Sequence, residues 1–163
     1  MPSRHALDVR HHDANEITAL WGPVVIRMVD GAATEPRDID RVGLLLEEAI
    51  ERSPTIGMLT IAHHGTPIPS VATLRYSKQV MGSLEDRLVV GIALLGLGFW
   101  AEAGRASVEF LSRIAMRRST FTLGDSIEVV VERMALELVG LECEQLCTAC
   151  VELERRFRAR DDG

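Results

Sequence analysis

The sequence predicts an α/β domain, a mostly parallel sheet of four to five strands with helices on its faces, followed by an extended C-terminal helix. Three observations lead there. Residues 24–29 (VVIRMV), 56–61 (IGMLTI) and 87–95 (RLVVGIALL) are short, largely apolar runs, the pattern of strands covered on both faces. The segments between them space their apolar residues as helices do. Aromatics are only 4% of the 163 residues while hydrophobic residues are 47%, so the interior is built from aliphatic side chains.

Residues 7–11 read as a first short strand, and Asp13, Ala14 and Asn15 as a turn. Residues 17–21 fit either strand or helix, and Gly22-Pro23 interrupts them. The strand at 24–29 ends at Asp30-Gly31, and Pro36 follows as a first-turn proline. Ile39, Val42, Leu45, Leu46, Ala49 and Ile50 then form a helical stripe up to Ser53-Pro54. The strand at 56–61 stops at His63-His64-Gly65, and Ser70 is placed to cap a helix carrying Val71, Leu74, Tyr76, Val80 and Leu84. After the strand at 87–95, Gly96-Leu97-Gly98 turns the chain into a helix over 100–118. Residues 119–123 hold a short strand, and Ser126 caps a last helix. Strands alternating with helices imply parallel crossovers.

That last helix reads as one element from Ser126 to about Arg158, broken only by Gly140, which would span roughly 50 Å. Val139, Cys143, Leu146, Cys150, Leu153 and Phe157 recur at alternating spacings of four and three, a heptad-like seam. So short a seam is not stable alone. It packs either on its own domain or on a second chain as a homodimer interface. The expected division is an α/β domain over 1–140 and a helical extension over 141–163.

The net charge of −6, with basic residues scattered except at Arg117-Arg118 and near the C-terminus, argues against nucleic acid as a partner. The longest apolar run, 88–100, contains three glycines and is shorter than the ~20 residues that cross a bilayer, so no membrane insertion is expected. Residues 1–8 hold no apolar run of the signal-peptide kind, and the expected compartment is the cytoplasm, where the three cysteines stay free thiols.

Four motifs invite a chemical reading. Cys143, Cys147 and Cys150 share one helix face, but zinc sites favour paired thiolates on a tight knuckle, and cysteines within an apolar seam pack as small hydrophobes. His63-His64 lies at the C-terminal end of a strand, where open α/β sheets place their ligands. Adjacent residues of an extended segment point to opposite faces, so the pair does not readily serve one ion. Gly96-x-Gly98 with Gly104 lacks the Lys-Ser/Thr of a phosphate loop. His11-His12-Asp13 reads as a solvated turn. No nucleophile elbow or Walker motif is present, so no catalytic residue, metal or cofactor is expected.

The order of elements, and above all "LVVGIALLGLGFW" running into "AEAGRASVEFLSRIAMRR", then "STFTL" and "SIEVVVERMALEL", resembles the SpoIIAA-like branch of the STAS fold, that of anti-sigma-factor antagonists. The resemblance covers about residues 17–140 and rests on pattern. It implies a non-enzymatic regulatory module that docks to a partner protein. In the family, a serine in a "D-S-S-G" turn before the helix that follows the second main strand is phosphorylated. The matching stretch here, 62–70, reads A-H-H-G-T-P-I-P-S: the Asp is absent, two prolines have entered, and Thr66 and Ser70 are the hydroxyls in reach. The implied docking surface is therefore His63, His64, Thr66 and Ser70. Two rivals stand beside it. Related folds hold apolar ligands beneath a helix, which implies a small-ligand or lipid-binding domain. A metal-dependent enzyme would use His63 and His64 with nearby acids.

Overall fold

The computed structural model describes residues 5–96, 102, 104–106 and 119–159. Six strands form one mixed sheet in the order β1-β2-β3-β4-β5-β6: β1 (Leu7–His12), β2 (Glu16–Trp21), β3 (Val24–Val29), β4 (Ile56–Ala62), β5 (Leu88–Leu94) and β6 (Thr120–Gly124). The first three make an antiparallel meander, and β3 to β6 run parallel in sequence order. The sheet is thus larger than the four to five strands expected. The added strand is the ambiguous stretch at 17–21, whose polar Glu16 and Thr18 alternate with Ile17, Ala19 and Trp21 and are buried as deeply as they are. Gly22, at φ 54°, makes the tight turn into β3.

Helices α1 (Pro36–Ile50) and α2 (Val71–Met81), with a 3-10 turn at Gly82–Arg87, supply Ile39, Val42, Leu46 and Met81 to one face of the sheet. Helices α3 (Ile127–Glu137) and α4 (Cys143–Ala159) cover the other, where Val130, Met134, Leu146 and Leu153 pack on Ile17, Ile26 and Leu59. β3 serves both layers: Val24, Ile26 and Met28 face α3 and α4, while Val25 faces α1. The helix expected over 100–118 lies outside the described residues, apart from 102 and 104–106, which are helical.

The single long C-terminal helix is not what forms. α3 ends at Glu137, Leu138 turns extended (φ −101°, ψ 112°), and Gly140 sits at φ 74°, a left-handed conformation that reverses the chain. α4 then returns across β2 and β1. The heptad-like seam therefore closes on its own sheet: Leu146, Cys150, Leu153 and Phe157 belong to the same core as β1 to β3, Cys143 packs partly buried against it, and Val139 stands 83% exposed at the reversal. Of the expected extension over 141–163, the described part, through Ala159, shares the domain's core.

Close approach of α3 to the sheet rests on Gly91. A Cβ there would lie 2.7 Å from Val130 Cγ1 and run into the Met134 thioether. Gly91→Ala is expected to destabilise the fold by about 1–3 kcal/mol, through overpacking, read as a lower urea midpoint with an unchanged m-value.

Candidate functional site

A cavity of about 130 Å³ lies between the sheet and α1 and α2, towards the C-terminal ends of β3, β4 and β5. Its floor includes Met58 and Ile92, its helical wall Ile39 and Val42, and one side is the loop carrying Thr66, Pro67, Ile68 and Pro69. The lining is predominantly apolar. Side-chain choice leaves space there: α2 buries only Met81, and beside Leu74 it turns the small Thr73 and Ser77 to the cavity. An apolar cavity of about 150 Å³ holds benzene, so the room here is that of one small ring or short chain.

One edge of the cavity is charged. Arg27 projects from the middle of β3 on the α1 side and is 7% exposed. Its Nη2 donates to Glu16 Oε2 at 2.9 Å, its Nη1 donates to Thr34 Oγ1 at 3.0 Å, and Asp38 Oδ2 lies 3.8 Å away. Arg41 of α1 reaches Glu16 at 3.3 Å and Asp38 at 3.5 Å. Thr18 Oγ1 donates to the other Glu16 oxygen at 2.9 Å, and Asp38 Oδ2 accepts the Glu35 N–H at 2.8 Å, which holds the first turn of α1. Burial pushes the Glu16 carboxyl up, but the hydrogen bond and charge of Arg27, with Thr18 and Arg41, outweigh it and hold the group below its ordinary range. Among the described residues the Arg27 Nε–H is sealed from solvent and meets no acceptor.

The predicted docking residues separate. Thr66 is buried: its hydroxyl donates to Val29 O at 3.3 Å and accepts the Gly31 N–H at 3.1 Å, pinning the loop to the end of β3. A kinase could reach that oxygen only after the loop lifts. Ser70 is exposed and caps α2, accepting the Thr73 N–H at 3.1 Å. His63 turns towards α4, where Nε2 lies 3.0 Å from Glu154 Oε2 and Nδ1 3.3 Å from Arg158 Nη2. A guanidinium only donates, so Nδ1 accepts and the ring proton sits on Nε2, facing the carboxylate. Arg158 also bonds Asp30 at 3.0 Å, and its guanidinium carbon lies over the Phe157 ring, 5.7 Å from its centre. With both nitrogens engaged, His63 fastens α4 to the rim of the sheet. His64 is exposed on the other side, against Gly96.

Two of the thiols, Cys147 and Cys150, are poorly suited to nucleophilic work. Burial, then the neighbouring Cys143, pushes Cys147 up to about 11, and burial pushes Cys150 further up still. No group of three or more His, Cys, Asp or Glu suited to a metal ion occurs among the described residues. None of the described helices is long and apolar enough to cross a membrane.

The charged cluster escaped sequence reasoning, although a signal for it exists. Arg27 is the one polar residue in a run that is otherwise apolar, and a fully buried strand must bury it with its counter-charges. Comparison with protein-family models, curated proteins and solved structures gave no match to this chain.

Proposed function

We propose that this chain is a non-enzymatic, ligand-responsive docking module of STAS-like, SpoIIAA-like architecture. A small molecule in the cavity sets the conformation of the 66–69 loop, and the outer side of that loop, with Ser70, meets a protein partner in a signalling role. The observation that carries the reading is the double duty of this loop. Thr66 is buried against the end of β3 and lines the cavity, whereas Pro67 and Ile68 line the same cavity and are exposed to solvent. A segment that is both wall and surface converts occupancy into a change of surface. Four parallel strands stacked in sequence order support the architecture. The engaged nitrogens of His63 and the raised thiol of Cys147 support binding over catalysis.

Benzene serves as a probe because an apolar cavity of about 150 Å³, slightly larger than this one, accepts it. Saturating benzene is expected to slow hydrogen exchange at the Thr66 amide, which donates to His63 O at 3.1 Å, and at the Gly31 amide, held by Thr66 Oγ1. Benzene that binds without altering exchange at either amide would remove the link between cavity and loop.

A further inference from the structure

Independently of the cavity, we infer that His63 is a proton-controlled catch: the neutral ring holds Arg158 at the end of α4, and a second ring proton releases it. The ring is closely held. Its backbone N–H donates to Val29 O at 2.9 Å, its side chain is 13% exposed, and the Phe157 ring packs beside it with centres 6.4 Å apart. Nε2 lies 3.0 Å from Glu154 Oε2 and Nδ1 3.3 Å from Arg158 Nη2. These two partners are opposite in kind. A carboxylate accepts and a guanidinium donates, so both are served only by the neutral ring with its proton on Nε2.

Imidazole is the side chain built to change charge between about pH 5 and 8. A proton added at Nδ1 turns that acceptor into a donor, so an N–H faces the N–H of Arg158 and a cation faces a cation. The Nε2–H keeps Glu154 and gains charge attraction, so that side holds. Arg158 is the contact that is lost. Its guanidinium is rigid and planar, with Nη1 on Asp30 Oδ2 at 3.0 Å and Nε on Glu154 Oε1 at 3.0 Å. Turning Nη2 away from Nδ1 therefore draws Nη1 off Asp30, in the turn after β3. The other ionisable neighbours among the described residues are His12 of β1, which packs its ring on Phe157 at 6.0 Å, and the exposed His64. Neither offers Nδ1–H a carboxylate. Asp30 precedes Gly31, whose N–H is held by Thr66 Oγ1, so the released pair flanks the anchor of the 66–69 loop. Acidification thus replaces a bonded Arg158–Asp30 pair with a separate cation and anion at that rim.

The test is NMR of the isotope-labelled full chain, titrated from pH 8 to pH 5. Three signals are followed: the His63 ring nitrogens, the Arg158 Nε–H and the Asp30 carboxyl carbon. At pH 8 the His63 ring is expected to carry its proton on Nε2, with Nδ1 bare. On acidification Nδ1 should take a proton, and the Arg158 and Asp30 signals should shift with the same midpoint. His63→Gln offers one acceptor and one donor in place of the two ring nitrogens and does not titrate. In that variant the pH response at Arg158 and Asp30 should be lost, while His5, His11, His12 and His64 still titrate. The midpoint comparison in the unaltered chain needs no variant and stands if His63→Gln fails to fold. A neutral ring protonated on Nδ1, or a His63 that takes no second proton by pH 5, overturns the catch. So do Arg158 and Asp30 signals that stay in place as His63 titrates, or that move equally in His63→Gln.

Discussion

A chain ended after Glu142 is expected to show no cooperative unfolding transition. That cut removes α4, and with it Leu146, Cys150 and Leu153, each 0% exposed, together with Phe157 at 5%. These side chains cover Ile17, Ala19 and Trp21 of β2, so the truncated chain would present one apolar face of an antiparallel meander to water. A point substitution gives the same result in graded form. Leu153→Ala is expected to cost about 2–5 kcal/mol, a large part of the stability of an ordinary domain, and to lower Tm by on the order of 10 °C. Val139→Ala, on a residue of the same heptad-like spacing that is 83% exposed, is expected to change stability by less than about 0.5 kcal/mol. Calorimetry on the three variants checks the contrast. A truncated chain that unfolds cooperatively near the full-length temperature would show that α4 is an appendage.

Glu16→Ala is expected to be nearly as damaging, at about 3–5 kcal/mol, because it leaves the buried Arg27 guanidinium without its main counter-charge. The Arg27 and Glu16 side chains are 8% and 6% exposed, so water does little to replace the lost partner. The pH dependence has a definite sign. The folded carboxyl of Glu16 titrates below its ordinary value of 4.5, so its contribution is complete above that value and is lost as pH falls below it. The full chain should therefore lose stability on acidification below about pH 4.5. Glu16→Gln should be less stable at neutral pH and show a shallower acid limb. Denaturant midpoints at pH 7, 5 and 3.5 would measure both. A limb of unchanged slope in Glu16→Gln would place the acid sensitivity elsewhere, for instance on the half-buried, Arg-paired Glu48 and Glu152.

Much of the architecture was legible because the parallel strands are short and apolar throughout, and no helix pattern fits so few residues between turn signals. The stretch at 17–21 was ambiguous for a physical reason. Glu16 and Thr18 read as surface residues until Arg27 and Arg41 are placed beside them, and that pairing crosses a strand and a helix. The C-terminal helix was overextended because Gly140 costs a helix only about 1 kcal/mol in isolation. What ends α3 is tertiary: the apolar face at 146–157 gains more by folding back onto β1 and β2 than by continuing outward. The cavity could not be read from the chain, since it is a shortfall of side-chain volume where α2 crosses the sheet. The loop at 63–70 was singled out by its position beyond a strand end, for His63 and His64, and by the family resemblance, for Thr66 and Ser70. Its buried half, Thr66, becomes evident only once its bonds to Val29 and Gly31 are seen.

Methyl-resolved NMR of Ile- and Met-labelled protein during a benzene titration tests most directly whether the space between the sheet and α1 and α2 takes a ligand. Saturable shifts are expected at Ile39, Met58, Ile68 and Ile92, which line the cavity, with Ile17, Ile26 and Met134 on the opposite face unmoved. Shifts confined to the α3–α4 face, or no saturable shift anywhere, would contradict it.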